Sequence, residues 1–150
     1  MEQIQLSVQF ARIDEKAKLP TQGSALAAGW DLYALEETIV PKGASTFIAT
    51  GLAMAIPEGW EGQIRCRSSL GKKGMILPNG IGTIDADYRG ELKVLATWIG
   101  QGDSFTVTKG ERVAQLLFAQ VPKVTIIETS FEELGNTERG SGGLGSSGQY

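Results

Sequence analysis

Ile4, Leu6, Val8 and Phe10 alternate with Gln5, Ser7 and Gln9, giving this segment one apolar and one polar face. Successive side chains of a strand point to opposite faces, so the alternation predicts a half-buried strand. Leu92, Val94, Ala96 and Trp98 interleave in the same way with Lys93, Leu95, Thr97 and Ile99. A turn-rich connection over 19–28 leads into 28–34. Further short extended segments are expected at 37–40, 45–55, 63–66, 104–107, 112–121 and 124–127. Pro41-Lys42-Gly43 and Pro57-Glu58-Gly59 punctuate them, as turn residues do. No amphipathic pattern lasts three helical turns, and the one helical candidate is the short stretch 68–73. The pattern therefore predicts an all-β protein, a jelly roll, sandwich or barrel.

Past residue 134 the character changes. Arg139-Gly140-Ser141-Gly142-Gly143-Leu144-Gly145-Ser146-Ser147-Gly148 is too poor in apolar side chains to order itself alone. The chain divides into a β domain over 1–134 and a flexible Gly/Ser-rich tail over 135–150. Gly140, Gly142 and Gly145 satisfy G-x-G-x-x-G, but a dinucleotide fingerprint sits between a strand and a helix, and no such context exists here. What remains is a glycine-rich flap with one arginine, able to fold over an anion.

The net charge of −3 and the lack of a Lys/Arg block argue against a nucleic-acid polymer as ligand. No apolar run approaches the ~20 residues that span a bilayer, so no membrane partner is expected. The N-terminus lacks the layout of a signal peptide, and a single cysteine, Cys66, suits a reducing interior. A cytoplasmic location is expected, or a nuclear or viral one depending on source. The absence of histidine excludes Ser-His-Asp and Cys-His catalysis and nearly every catalytic zinc site. Any hydrolysis must rely on carboxylates, hydroxyls, arginines, backbone amides and a hard cation such as Mg²⁺.

Chemistry concentrates in Asn79-Gly80-Ile81-Gly82-Thr83-Ile84-Asp85-Ala86-Asp87-Tyr88-Arg89-Gly90-Glu91. The two glycines suit a tight turn with exposed backbone, and Thr83 and Ile84 favour a strand. On a continuing strand Asp85 and Asp87 share a face and Tyr88 takes the other. Such a hairpin can hold a flat polar ring and activate a water beside it; equally, it can be a solvated surface hairpin. Arg67-Ser68-Ser69 precedes the short helical candidate. Ser68 is then a plausible N-cap, with free N–H groups and Arg67 available to an anion, or the stretch is an ordinary cap with a surface arginine. Gln115 is a polar side chain in an apolar strand, bonded to a neighbouring strand or facing a ligand. Asp31, between Trp30 and Leu32, needs a partner or a hydrated cation.

In order and spacing, five segments resemble the five motifs of the trimeric dUTP diphosphatase (dUTPase) family. They are Ala28-Gly29-Trp30-Asp31-Leu32-Tyr33-Ala34, Arg67-Ser68-Ser69-Leu70-Gly71, residues 79–91, residues 110–116 and residues 139–148. The resemblance spans nearly the whole chain, the first four motifs falling in the β domain and the fifth in the tail. It implies a jelly-roll-like β-clip fold assembled as a homotrimer, with active sites between subunits and the tail of one closing over a site formed by others. The implied reaction is dUTP plus water giving dUMP and pyrophosphate, with Mg²⁺ on the triphosphate.

Carried across by motif position, Asp85 activates the water that attacks the α-phosphorus. Asn79 and the backbone at Thr83 and Ile84 hold the uracil edge, Tyr88 packs on the deoxyribose, and Lys93 lies near the substrate. Arg67, Ser68 and Ser69 grip the phosphates, and Gln115 assists at the phosphate or its water. Asp31 holds metal-bound waters, while Arg139, Ser141 and Gly142 reach the phosphates from the tail. Two positions depart from the pattern. Leu144 stands where an aromatic usually stacks on uracil, which implies a weaker lid, by ~1 kcal/mol. Ser69 stands where glycine is common, and Arg-Ser-Ser-Leu is similar to the related dCTP deaminases. A deaminase, a bifunctional enzyme of the same fold, and a non-catalytic nucleotide-binding regulator are the alternatives. The run Thr83-Ile84-Asp85-Ala86-Asp87-Tyr88 and the glycine-rich tail match the diphosphatase better.

Overall fold

The computed structural model describes residues 2–149; Met1 and Tyr150, the outermost residues of the expected β domain and tail, lie outside it. Its strands are β1 (Gln9–Arg12), β2 (Trp30–Tyr33), β3 (Thr38–Pro41), β4 (Thr46–Ala49), β5 (Leu52–Ala55), β6 (Trp60–Arg65), β7 (Met75–Ile76), β8 (Gly82–Ile84), β9 (Lys93–Trp98), β10 (Ser104–Val107) and β11 (Arg112–Gln120). The helix α1 (Ser68–Lys73) follows β6, and a single 3₁₀ turn forms at Glu132–Leu134. β2, β11, β6 and β8 lie side by side in one sheet and β4, β9 and β7 in another, with β1–β5 and β3–β10 as two-stranded pairs. Every strand pairing is antiparallel. The result is a jelly-roll-like β fold.

One core collects a side chain from almost every strand. Leu32, Val40, Ile48, Leu52, Ile64, Met75, Val94, Val107 and Leu116 are all buried in it. Each such side chain contributes about 1.5–3 kcal/mol when fully withdrawn from water. Trp98 closes one end of the core by stacking on Phe105, with ring centroids 5.0 Å apart. The chain turns out of α1 at Gly74, whose φ of +115° suits glycine, and a Cβ there would come within 2.6 Å of the Gly100 Cα.

Three expectations need correction. The alternation over 4–10 yields strand only from Gln9, because β5, its partner within the chain, pairs with residues 9–12; Ile4 is left exposed. Segment 45–55 is two strands, broken where Gly51 takes a φ of +70° and the buried Thr50 hydroxyl donates to the Leu92 carbonyl at 2.5 Å. Segment 124–127 forms no strand, and Val124, Ile126 and Ile127 are all exposed. Beyond the Val121 N–H, which bonds the Gly59 carbonyl, the hydrogen bonds of residues 122–149 stay among themselves.

Candidate active site

The central stretch folds as a short strand and a turn rather than as the expected hairpin. β8 pairs with β6 (Ile84 opposite Gly62, Thr83 opposite Gln63), whereas β9, which follows it, pairs with β4 and β7. Immediately after β8 the Tyr88 N–H donates to the Asp85 carbonyl at 3.1 Å. Asp85 therefore opens a four-residue turn, a position that aspartate favours, and the strand ends before Asp85 and Asp87 can share a face. The Arg89 guanidinium ties the turn together through the carbonyls of Ala86 (2.6 Å) and Tyr88 (3.1 Å).

Tyr88 then folds back. Its hydroxyl donates to the Glu91 carbonyl at 2.9 Å, and its ring lies over Gly90, where a Cβ would come within 2.6 Å of the ring Cζ. Thr83, Ile84, Asp85, Tyr88, Glu91, Lys93 and Phe47 line a depression of about 300 Å³. Asp85 and Lys93 are exposed there, opposite in charge, and the Lys93 ammonium stands 5.6 Å from the centre of the Phe47 ring. Asn79 is not in this lining; it sits over Gly82 at the start of β8. A larger depression of about 910 Å³ lies between the N-terminal arm and Trp30, Trp60 and Phe118. None of the residues lining it is ionisable, which leaves it nothing with which to move a proton.

A second cluster forms where β2, β11 and the entry to α1 meet. Asp31 sits between two guanidinium groups, 3.6 Å from Arg67 Nε and 3.6 Å from Arg112 Nη1. Arg67 also donates to the main-chain carbonyl of Arg112 at 3.0 Å, and Gln115 Nε2 donates to that of Cys66 at 3.0 Å. Gln115 thus fixes the peptide just before Arg67. It has room because residue 29 is glycine: a Cβ there would run into Gln115 Oε1 and pass 3.2 Å from its Cβ. Arg112 reaches this face through a bulge. Arg112 opposes Tyr33 and Ala114 opposes Leu32, so Val113 is an extra residue, and both Val113 and Ala114 are fully buried.

Ser68 is the first helical residue rather than the N-cap. Arg67 occupies that position in extended conformation, without a side-chain cap bond, because a guanidinium has no acceptor to offer the helix N–H groups; it donates across the cluster instead. Ser68 and Ser69 stay exposed. The Cys66 thiol, beside the carbonyls of Arg67 and Met75, is pushed up in pKa by burial against the lowering influence of the Gly71 backbone, which suits a protonated, unreactive group.

The structure thus brings Thr83, Ile84, Asp85, Tyr88 and Lys93 to one place, and Asp31, Arg67 and Gln115 to another. The two places are far apart within one chain. Asp85 follows the residue opposite Gly62 and Arg67 lies five positions the other way along β6, a separation of about 20 Å at the rise of a strand. The tail residues join neither cluster. Arg139 Nε bonds the Gly142 carbonyl at 2.7 Å, and Ser141 and Leu144 are exposed. Phe47, Glu91 and Arg112 escape the sequence pattern. The signal for Phe47 is an aromatic on the opposite phase of β4 from the buried Ile48, while Glu91 and Arg112 carry no signal beyond their place in the motifs.

The dUTPase family model matches residues 15–148. The deoxyuridine 5'-triphosphate nucleotidohydrolase of Syntrophotalea carbinolica is 46% identical over 147 residues, covering 95% of this chain and 97% of that protein. The enzyme of the same name from Candida albicans is 46% identical over 134 residues, 89% of this chain and 83% of its own. Among solved structures, the dUTPase of Staphylococcus bacteriophage 80alpha with dUPNHPP superposes with a TM-score of 0.78 at 25% identity, covering 95% of this chain and 99% of that one. A mutant dUTPase from phage phi11 of S. aureus, described with a structural Mg(II) ion, shares the fold at a TM-score of 0.75 and 21% identity, over 84% of this chain and 99% of that one. By a match over nearly its whole length, this chain belongs to the dUTPase family.

Proposed function

We propose that this chain hydrolyses dUTP to dUMP and pyrophosphate. The observation that carries the reading is the depression in which an exposed carboxylate, Asp85, stands beside the strand backbone of Thr83 and Ile84 and the folded-back ring of Tyr88. In this reading the pyrimidine edge pairs with main-chain groups of β8 and with Asn79. Cytosine would reverse the donor and acceptor pattern and leave buried groups unpaired, which discriminates strongly. Tyr88 packs on the deoxyribose, where a 2′-hydroxyl would meet the ring, and Lys93 lies close to the substrate.

Asp85 orients a water toward the α-phosphorus and takes its proton as the new O–P bond forms and pyrophosphate leaves. Phosphoryl transfer of this kind needs positioning and charge neutralisation more than covalent help. Arg67, Ser68 and Ser69 hold the phosphates, and Gln115 supports them by fixing the Cys66 peptide.

Mg²⁺ fits the donor set in one mode. Among the described residues no three Asp, Glu, His or Cys side chains gather into a metal cage. Mg²⁺ commonly keeps several waters and takes one or two carboxylates together with substrate phosphates. Asp31 is the carboxylate available for that, through water. Bound there, the ion supplies neutralisation of triphosphate charge.

The gap of about 20 Å between the two clusters of one chain supports a site shared between subunits of a homotrimer, with motif residues from different copies meeting. The β domain over 1–134 then supplies four motifs and the tail over 135–150 the fifth, with Arg139, Ser141, Gly142 and Leu144 closing over a site of another copy. The deciding test is a pyrophosphate-release assay with Mg²⁺ across dUTP, dCTP, dTTP and UTP. Release from dUTP alone, without ammonia from dCTP, is expected. Ammonia from dCTP, or no pyrophosphate from dUTP, refutes the reading.

A further inference from the structure

We propose that Glu91 is a positioning residue for sugar selection, fixing the glycine and the carbonyl on which the Tyr88 ring is seated. The inference rests on the diphosphatase reading above, and within it on Tyr88 as the wall against the sugar.

Tyr88 is held at two points, by the Glu91 carbonyl that accepts its hydroxyl at 2.9 Å and by Gly90 beneath the ring. Residues 90 and 91 belong to no strand. What fixes them is the corner between β4 and β5. The β4–β9 register sets Ala49 opposite Lys93, so an unbroken ladder would set Thr50 opposite Leu92 and Gly51 opposite Glu91. The φ of +70° at Gly51 ends that ladder. Side chains take over where it stops. The Thr50 hydroxyl donates to the Leu92 carbonyl, and the N–H of buried Gly51 donates to Glu91 Oε2 at 3.3 Å. The Leu92 N–H donates to the Leu52 carbonyl at 2.7 Å. That N–H and the Glu91 carbonyl belong to one planar peptide unit, so the group that receives Tyr88 is held from its other edge by β5.

The corner is a firm anchor. The Gly51 carbonyl accepts the Ile13 N–H at 2.8 Å, and a Cβ on Gly51 would lie 3.0 Å from that of Ala17 and 3.3 Å from that of Asp14. The Glu91 carboxylate acts there as an acceptor and not as a counter-ion. It is half-buried at the edge of the depression, and the ion pairs among the described residues both belong to Asp31. A main-chain N–H buried without an acceptor is costly, so removing the carboxylate opens this contact to water. Gly90 and the Glu91 carbonyl then lose one of the two ties that fix them, and the ring loses its seat.

Glu91→Ala, Glu91→Gln and Glu91→Asp are compared by pyrophosphate release from dUTP and UTP with Mg²⁺ and by thermal melts. Ile48→Val, in the buried core, is the control for lost stability alone. Glu91→Ala is expected to lower the dUTP/UTP ratio of kcat/KM about threefold, mostly through KM. Glu91→Gln keeps an acceptor oxygen and should restore the wild-type ratio, whereas Glu91→Asp, a methylene too short, should not. Ile48→Val should melt lower and select normally. In Gly90→Ala the added Cβ already displaces the ring, so adding Glu91→Ala should lower the ratio further by less than about twofold. A wild-type ratio in Glu91→Ala overturns the proposal, whatever its melting temperature. So does a full further loss of about threefold in the double variant, because Glu91 would then act elsewhere than on the ring. A loss in Glu91→Gln equal to that in Glu91→Ala overturns the acceptor role. If Glu91→Ala does not fold, Glu91→Asp decides, and a wild-type ratio there overturns the proposal. A wild-type chain that releases no pyrophosphate from dUTP removes the underlying reading. Selection of dUTP over UTP with an unaltered ratio in Glu91→Ala removes only this one.

Discussion

Gly90→Ala tests how the sugar wall of the proposed site is built. A Cβ at Gly90 would lie 2.6 Å from the Tyr88 Cζ and 2.9 Å from its Cε1, so the ring must leave its place. Tyr88 is 43% exposed and solvent is open beside it, so the ring swings outward instead of straining the core. The displacement breaks the bond from the Tyr88 hydroxyl to the Glu91 carbonyl, a net loss of about 1 kcal/mol. For a chain of this size that lowers Tm by about 2–4 °C. Expressed as selectivity, about 1 kcal/mol is about fivefold. The ratio of kcat/KM for dUTP to that for UTP should fall at least that far, because the ring that excludes a 2′-hydroxyl is no longer fixed. Pyrophosphate release from both nucleotides measures the ratio, and a thermal melt measures the stability. Tyr88→Phe removes the same bond and should show a similar loss of Tm, with a smaller change in selectivity because the ring can stay over Gly90. An unaltered dUTP/UTP ratio in Gly90→Ala would refute the assignment of Tyr88 to the sugar.

Asp85→Asn should retain binding of a non-hydrolysable dUTP analogue while turnover drops by orders of magnitude; near-normal turnover would dismiss Asp85 as the base. Gly29→Ala pushes Gln115 off the Cys66 carbonyl and should lower kcat/KM about tenfold, with Gln115→Ala no better, since both free the same peptide; full activity in either variant would show that this peptide needs no clamp. Deleting residues 139–150 should impair turnover and leave the oligomer intact on sizing, because residues 139–149 hydrogen-bond no further back than Thr137; a shift to monomers would assign the tail to assembly. Cys66 ionises less readily folded than unfolded, so folded stability should decline as pH rises past the ordinary thiol range, and Cys66→Ala should lose that decline in alkaline urea titrations.

Most strands that pair within the chain could be read from their residues, but the two-residue β7, which pairs with β9, could not. The interleaved apolar positions of β9 end where the sheet does, and α1 occupies 68–73, the one stretch where the strand pattern lapses between turn residues. Alternation alone does not say which edge a strand will meet, and so residues 4–8 and 124–127 carry the pattern of strands without a partner in one chain. The bulge at Val113 is equally hidden: Arg112-Val113-Ala114-Gln115 looks like an unbroken strand, and only the register against β2 shows two core residues in succession. Asp85 could be picked out by its neighbours, but its setting could not, because a strand and a turn compete over Asp85-Ala86-Asp87-Tyr88 and the Arg89 contacts favour the turn.

The separation of the two clusters has the same origin. Motif residues close in sequence are placed by β6 and its neighbours at opposite ends of one sheet, Asp85 near Glu61 and Arg67 beyond Arg65. In the proposed reading a nucleotide whose base and sugar lie beside Asp85 presents its phosphates to Arg67. In the same chain Arg67 lies about 20 Å along the strand direction, whereas the nearby Arg89 is tied to the carbonyls of its own turn. A second copy can supply Arg67. Mixing an Asp85→Asn chain with an Arg67→Ala chain then provides a direct test, since some mixed assemblies contain a site built from two intact halves. Each variant alone should be nearly inactive and the mixture, after subunit exchange, should recover part of the wild-type rate. A mixture no more active than its components, with exchange shown by a labelled subunit, would mean that one chain builds its whole site alone.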